Sequence, residues 1–488
     1  MQSRLSSSES AAGTCPASTT RSPRHAPARA RAPDSSGRGR RPPRLPLHRS
    51  LPPLLRRDLL RLFDNAAGAG PLVRLDAAGF RLFQVNDAAL MRAVLLDKAR
   101  VYRKGSLMRR LRAVTGEGLL INDGERWKRH RRLANPALAA GALPRYVPAM
   151  HAATAATVRR WRQTGAGVPL DLMEELSRTT LTSLLDSIFG VRAGDGASDD
   201  GLARVSAVIH SLLDELVRQG SALAAPPLSW PTPANRRFRR RVAEADAILA
   251  GIIAARRETL SDTDAPADLL GQWLLQRRRE AEHFSAEEMR DELMTMLIAG
   301  HHSLAIALSW ALYHLARDPD LQAAVQAEAD AAPGLPERLD DLDRLPLIRG
   351  VLLEALRLYP QPPILLREAT ADHVLGGYRL RAGDQLLLSV TALHQDPAQW
   401  PDPGQFDAGR YVGFNSDAML QAQHLGFGGG PRSCIGRRFA LLEGVLVIAA
   451  LLRGVRLAPA ASDAGPVLPR FAGMLVPTAP LLVRADAR

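Results

Sequence analysis

The residues best suited to chemistry surround one cysteine. Phe427-Gly-Gly-Gly430-Pro-Arg432-Ser-Cys434-Ile-Gly436 is a glycine-rich loop that leads into an apolar run over residues 437–452. The chain has two cysteines, Cys15 and Cys434, which excludes a disulfide scaffold and a cysteine-rich zinc protein. A thiol just before a helix meets unpaired N–H groups and the positive end of the helix dipole, and both favour the thiolate. Gly430 and Gly436 leave room for a flat ligand against the backbone, and Arg432 is placed to meet an anionic group. A single thiolate presented this way suits axial ligation of haem iron. The alternative is a core cysteine in a Gly-rich turn, the common state of a lone cysteine.

A second group, Gly300, His301, His302 and Ser303, interrupts an apolar run over residues 293–308. Polar groups in such a run cost free energy unless they have partners. His302 titrates near neutral pH, which suits a proton carrier; the alternative is a satisfied interior histidine. The element holding this group is a long helix. Ser285 with Glu288 three residues on is a capping box, and Asp318-Pro319 ends the helix. Its thirty-odd residues span about 50 Å at 1.5 Å each, so it must cross the middle of the molecule. Further helices are expected over residues 125–133, 145–164, 170–189, 201–220, 235–258, 345–359 and 437–452. Residues 72–85 read as a hairpin turning at Ala78-Gly79, and residues 374–390 as strands. The predicted class is mainly α with a smaller β-sheet part. Trp127 and Arg131, four apart, share one helix face, as do Glu354 and Arg357, three apart.

These motifs together resemble the cytochrome P450 family, in its soluble bacterial form. F-x-x-G-x-R-x-C-x-G is that family's haem-thiolate signature and is matched at every fixed position. Glu354-Ala-Leu-Arg357 matches its E-x-x-R, and Trp127 with Arg131 its W-x-x-x-R. Pro403, Phe406 and Arg410 match its P-x-x-F-x-P-x-R, except that Ala408 replaces the second proline. The resemblance implies a haem between the long helix and the cysteine-loop helix, held by Cys434 on iron. Trp127, Arg131, Arg367 and Arg432 would meet its propionates, with Phe427 and Gly436 in the loop. Glu354, Arg357 and Arg410 would form a structural ion network. Ala299, Ile364, Leu365 and Met474 would touch substrate, with residues 216–230 as a lid. Ser303 and His302 would form the proton relay, although the family usually has an acid followed by threonine there.

The implied activity is a monooxygenase that inserts one oxygen atom of O2 into an apolar small molecule. The implied cofactors are haem b, O2 and, indirectly, NAD(P)H. No flavin or ferredoxin domain fits in 488 residues, so electrons are expected from a ferredoxin or flavodoxin-type donor with its reductase, docking near Arg437 and Arg438. The altered relay leaves a peroxide-driven peroxygenase as the alternative.

The formal charge of +14 is uneven. Ten arginines against Glu9 and Asp34 give residues 1–50 a charge of +8. That Arg/Ser/Pro-rich segment cannot bury enough apolar surface to order itself, so it is expected to be a disordered extension to a single domain over residues 51–488. Nucleic acid is not the expected partner. No secretory h-region and no spanning helix is expected, and the predicted location is the cytoplasm.

Overall fold

The computed structural model describes residues 40–488, apart from the stretches 78–79, 192–204, 216–227, 414–422 and 461–464 and the positions 57, 98, 107, 166, 206, 210, 213, 214 and 264. Two short helices, α1 (Leu47–Arg56) and α2 (Leu59–Ala67), precede the strands β1 (Leu72–Ala77) and β2 (Phe80–Val85). After β3 (Tyr102–Arg103) come α3 (Gly124–Ala134), α4 (Val147–Gln163), α5 (Leu172–Phe189), α6 (Pro233–Thr259), α7 (Leu269–Arg279), α8 (Ala286–Arg317), α9 (Pro319–Ala331) and α10 (Pro346–Leu358). The strands β4 (Ile364–Ala369) and β5 (Gln385–Ser389), helix α11 (Arg437–Gly454) and a hairpin of β6 (Pro469–Phe471) and β7 (Leu475–Pro477) complete the frame of the site. The five-stranded sheet has the order β1-β2-β5-β4-β3, and only β2 and β5 run parallel. The fold is thus mainly helical with a smaller sheet.

Helix α8 begins as its sequence predicts. Ser285 Oγ accepts from Glu288 N–H at 3.1 Å, and the Glu288 carboxylate accepts from Ser285 N–H at 2.9 Å. The helix then runs through the core against α5, α10 and α11. Leu304, Ala305, Ile306, Ala307 and Leu308 are all buried, and each large side chain among them contributes about 1.5–3 kcal/mol. Among the described residues, α8 is the one helix long and apolar enough to cross a membrane, and 72% of its most apolar stretch is buried inside the protein. Gly300 sits where α5 crosses, since a Cβ there would press on Leu184 at 2.9 Å.

Several expectations need correction. The extension assigned to residues 1–50 is ordered from residue 40: Arg40 N–H bonds Gly377 carbonyl, Leu45 N–H bonds Arg74 carbonyl, and Leu45 is buried. Residues 1–39 lie outside the described residues. Helices α7 and α9 were not foreseen. Asp318-Pro319 does end α8, but the Asp318 carboxylate also accepts Leu321 N–H at 2.9 Å, and Pro319 opens α9. The expected helix over 201–220 and the expected lid fall largely outside the described residues.

Candidate functional site

A cavity of about 970 Å³ lies between α8, α11, the sheet and the hairpin β6–β7. Its far wall is Ala299, Gly300, His302 and Ser303 of α8; its near wall is Phe427, Gly428, Cys434, Ile435 and Gly436. Ile364, Leu365 and Met474 line it as well, so every residue expected to touch substrate is there.

The near wall is built by hydrogen bonds. Cys434 N–H donates to Phe427 carbonyl at 2.8 Å, which turns the loop back on itself. The thiol is exposed on the cavity wall. Burial pushes its pKa up, opposed by the Gly436 N–H and the charges of Arg131 and Arg437. The helix end alone therefore does not favour a thiolate here; a metal cation held at Sγ would. Gly430 has a different role from the one expected. Its φ is +68°, and a Cβ would run into the Leu95 carbonyl, so it joins the loop to the sheet side while Gly426, Gly428 and Gly436 face the cavity.

Behind the loop stands a saturated ion network. Arg357 meets both Glu354 oxygens, at 2.7 and 2.8 Å, and both side chains are fully buried. The Arg357 guanidinium also donates to the carbonyls of His394 (2.7 Å), Pro403 (2.8 Å) and Gln405 (3.0 Å). Arg410 Nε reaches Glu354 Oε1 at 3.2 Å, and Asp407 N–H reaches it at 3.0 Å.

One rim of the cavity is strongly cationic. Lys104, Arg131, Arg367 and Arg432 all line it. Arg131 donates to Ser433 carbonyl at 2.9 Å, Arg367 to Leu366 carbonyl at 2.8 Å, and Arg432 to Asn122 carbonyl at 2.7 Å and to the Asp123 carboxylate. The Arg432 guanidinium also lies 4.2 Å from the Trp127 ring centre. Burial and the charge of Arg432 lower Arg367 to about 10. Burial and the charge of Arg131 bring Arg432 to about 10, against the pull of Asp123. Lys104 falls to about 7, through burial and then Arg367 and Arg432. Lys104 was missed in the sequence because it belongs to no motif. Only its scarcity marked it, since Lys98, Lys104 and Lys128 are the three lysines of the chain.

On the far wall, Ser303 Oγ donates to Ala299 carbonyl at 2.8 Å, and His302 faces the cavity. His301 is buried, with Nδ1 3.0 Å from Leu297 carbonyl. Of the two arginines expected to face a partner, Arg437 is only 8% exposed and Arg438 is exposed.

These residues fit an iron protoporphyrin. Cations that repel one another around a single carboxylate suit a flat ring bearing two carboxylates, and a thiol on the adjacent wall suits its iron. The comparisons agree. The family model of cytochrome P450 matches residues 40–484. Protein LUTEIN DEFICIENT 5 of Arabidopsis thaliana is 31% identical, over 80% of this chain and 68% of that protein. Cyclooctat-9-en-7-ol 5-monooxygenase of Streptomyces melanosporofaciens is 30% identical, over 82% of this chain and 85% of that protein. The crystal structure of the cytochrome P450DA heme domain superposes with a TM-score of 0.79 at 29% identity, covering 92% of this chain and 97% of that one. With its cysteine loop, its cationic rim and its buried Glu354–Arg357 pair, the chain belongs to the cytochrome P450 family and is a haem-thiolate monooxygenase.

Proposed function

We propose that this enzyme inserts one oxygen atom of O2 into a bulky apolar molecule in the cytoplasm. Its electrons come from a separate ferredoxin or flavodoxin-type protein whose reductase oxidises NAD(P)H. The observation that carries the reading is that Cys434 and, from α8, Ala299, Gly300, His302 and Ser303 line one cavity. Bound haem supplies the oxygen activation, aided by electron donation from a thiolate. Cys434 Sγ would hold its iron. Trp127, Arg131, Arg367 and Arg432, joined by Lys104, would hold the two carboxylates of the ring, and Phe427 and Gly436 would shape the loop against it.

Ser303 Oγ and the His302 imidazole move protons at the far wall. Ala299, Ile364, Leu365 and Met474 hold the substrate and exclude water. An alkenol or hydrocarbon skeleton suits a lining dominated by Leu, Met, Phe and Ile. The name of the Streptomyces relative, which carries an alkenol, supports that class.

Cys434→Ala tests the reading. The reduced carbon-monoxide complex is expected to lose its thiolate-type absorption band, and a retained band overturns the assignment. A second reading, peroxide-driven oxygenation, is favoured by His302-Ser303 standing where an acid and threonine are usual. Product formed with peroxide alone, at a rate matching the full electron-transfer system, would select it.

A further inference from the structure

One buried histidine stands between two carboxylates. His130 of α3 is wholly buried; its Nδ1 lies 2.6 Å from Glu292 Oε1 and its Nε2 3.2 Å from Glu288 Oε1. Both glutamates come from α8 and, four apart, share one helix face. Glu292 is wholly buried and lines the site cavity. The Glu288 side chain is 26% exposed. It lines a separate outer cleft of about 430 Å³, with Glu125, Arg126, Lys128, Arg129 and Arg132. His130 is therefore the wall between the two spaces. Phe284 packs edge-on at 5.3 Å, and Asn122 Nδ2 lies 3.3 Å from His130 Nδ1.

We infer that Glu288, His130 and Glu292 form a proton inlet from the outer cleft to the cavity that contains His302 and Ser303. A proton taken up at His130 Nε2 from the Glu288 side is matched by one leaving Nδ1 for Glu292 Oε1. A turn of the ring then restores the starting state, and no electrons move. The surrounding charges suit this direction. Burial opposes ionisation of Glu288, yet hydrogen bonds from Arg129, Ser285 N–H and His130 hold it at about 2. Burial pushes Glu292 up, against hydrogen bonds from His130 and Leu119 N–H and with the help of Asp291, so a proton rests more readily at the cavity end. Arg290, bound to Asp291 at 2.9 Å and also paired with Asp246, is a further charge beside that pair. Glu292 is about 15 Å along α8 from His302, and Thr295, which lines the same wall, lies between them. The inlet supplies a carboxylate to a helix whose usual acid position holds His302.

The inference rests on family membership, not on the identity of the substrate. Glu292→Gln keeps the size and one acceptor oxygen for Leu119 N–H, with its NH2 able to donate to His130 Nδ1 in the other tautomer, but carries no acid proton. In the haem-loaded enzyme driven by NAD(P)H, reductase and ferredoxin, product per NAD(P)H is expected to fall roughly 10-fold. The loss is partial because Ser303 and His302 remain. The solvent deuterium isotope effect on turnover should rise, peroxide-driven turnover should fall far less, and the melting temperature and resting Soret spectrum should not move. His130→Gln should act in the same direction. Equal losses with both oxidants together with a lower melting temperature overturn the inference and leave the three residues a structural tie. Unchanged coupling in both variants overturns it too.

Discussion

The two walls of the cavity are built on opposite plans. Around Cys434 the polar groups are saturated. Glu354, Arg357 and Arg410 are tied to one another and to backbone carbonyls, and even the loop glycine Gly430 is fixed by contact with Leu95. Across the cavity, His302 and Ser303 face a largely apolar space, and Ser303 has an intrahelical carbonyl as its partner. One wall is a fixture; the other is a set of side chains with work to do on what enters. Substitutions should therefore be felt as lost stability on the first wall and as altered chemistry on the second.

The strongest way to break this comparison is Arg357→Ala. It leaves Glu354 buried and charged, which should cost about 3–5 kcal/mol and appear as a large fall in the denaturant midpoint. A small change would mean that the near wall is not the fixture it looks. Gly430→Ala is next. It forces an alanine to a φ of +68° against the Leu95 carbonyl and should cost about 1–3 kcal/mol. Loss of haem retention without a fall in melting temperature would refute that account.

Lys104 sharpens the comparison at the rim, through pH. Its pKa in the haem-free protein is about 7, and two bound carboxylates raise it. Loading above that pH therefore takes up a proton, so haem affinity should fall as pH rises from about 7 toward the loaded value. For folding of the haem-free chain the sign is reversed, because the folded state there binds fewer protons than the unfolded one and gains stability as pH rises. The expected change in haem affinity is about tenfold per unit of pH at most, roughly 1.4 kcal/mol. Lys104→Gln should flatten the curve in a haem-transfer assay, and an unchanged slope would place the lysine outside the rim. The smallest effect is expected from Ser303→Ala: roughly threefold more peroxide released per NAD(P)H, under 1 kcal/mol, with no change in melting temperature. A melting shift as large as that of Gly430→Ala would erase the distinction between the walls.

How far the sequence can be read follows the same division. Spacings of three and four residues place Glu354 with Arg357 and Trp127 with Arg131, because helix geometry alone decides which side chains share a face. The ten-residue cysteine loop is legible for a related reason: its signature residues are consecutive in the sequence. Lys104 and the His130–Glu292 pair are not legible. His130 and Glu292 are 162 positions apart, and only the packing of α3 on α8 joins them. Arg437 shows the reverse error. An arginine after a loop reads as solvated, but packing leaves it buried. Helix α9 was missed because Asp318-Pro319 carries a stop and a start in two residues.

The Arg357 guanidinium also bears on folding order. Its carbonyl partners lie 37, 46 and 48 positions away, at His394, Pro403 and Gln405. Each such contact closes a long loop, and the chain must lose that entropy before any of the bonds forms. A buried guanidinium that gains its acceptors only together does not favour a half-assembled state. The segment from His394 to Gln405 therefore sets when α10 is already in place, and the cysteine loop that follows it is among the late parts to take shape. Refolding followed by a probe in α10 should run ahead of refolding followed by haem capture.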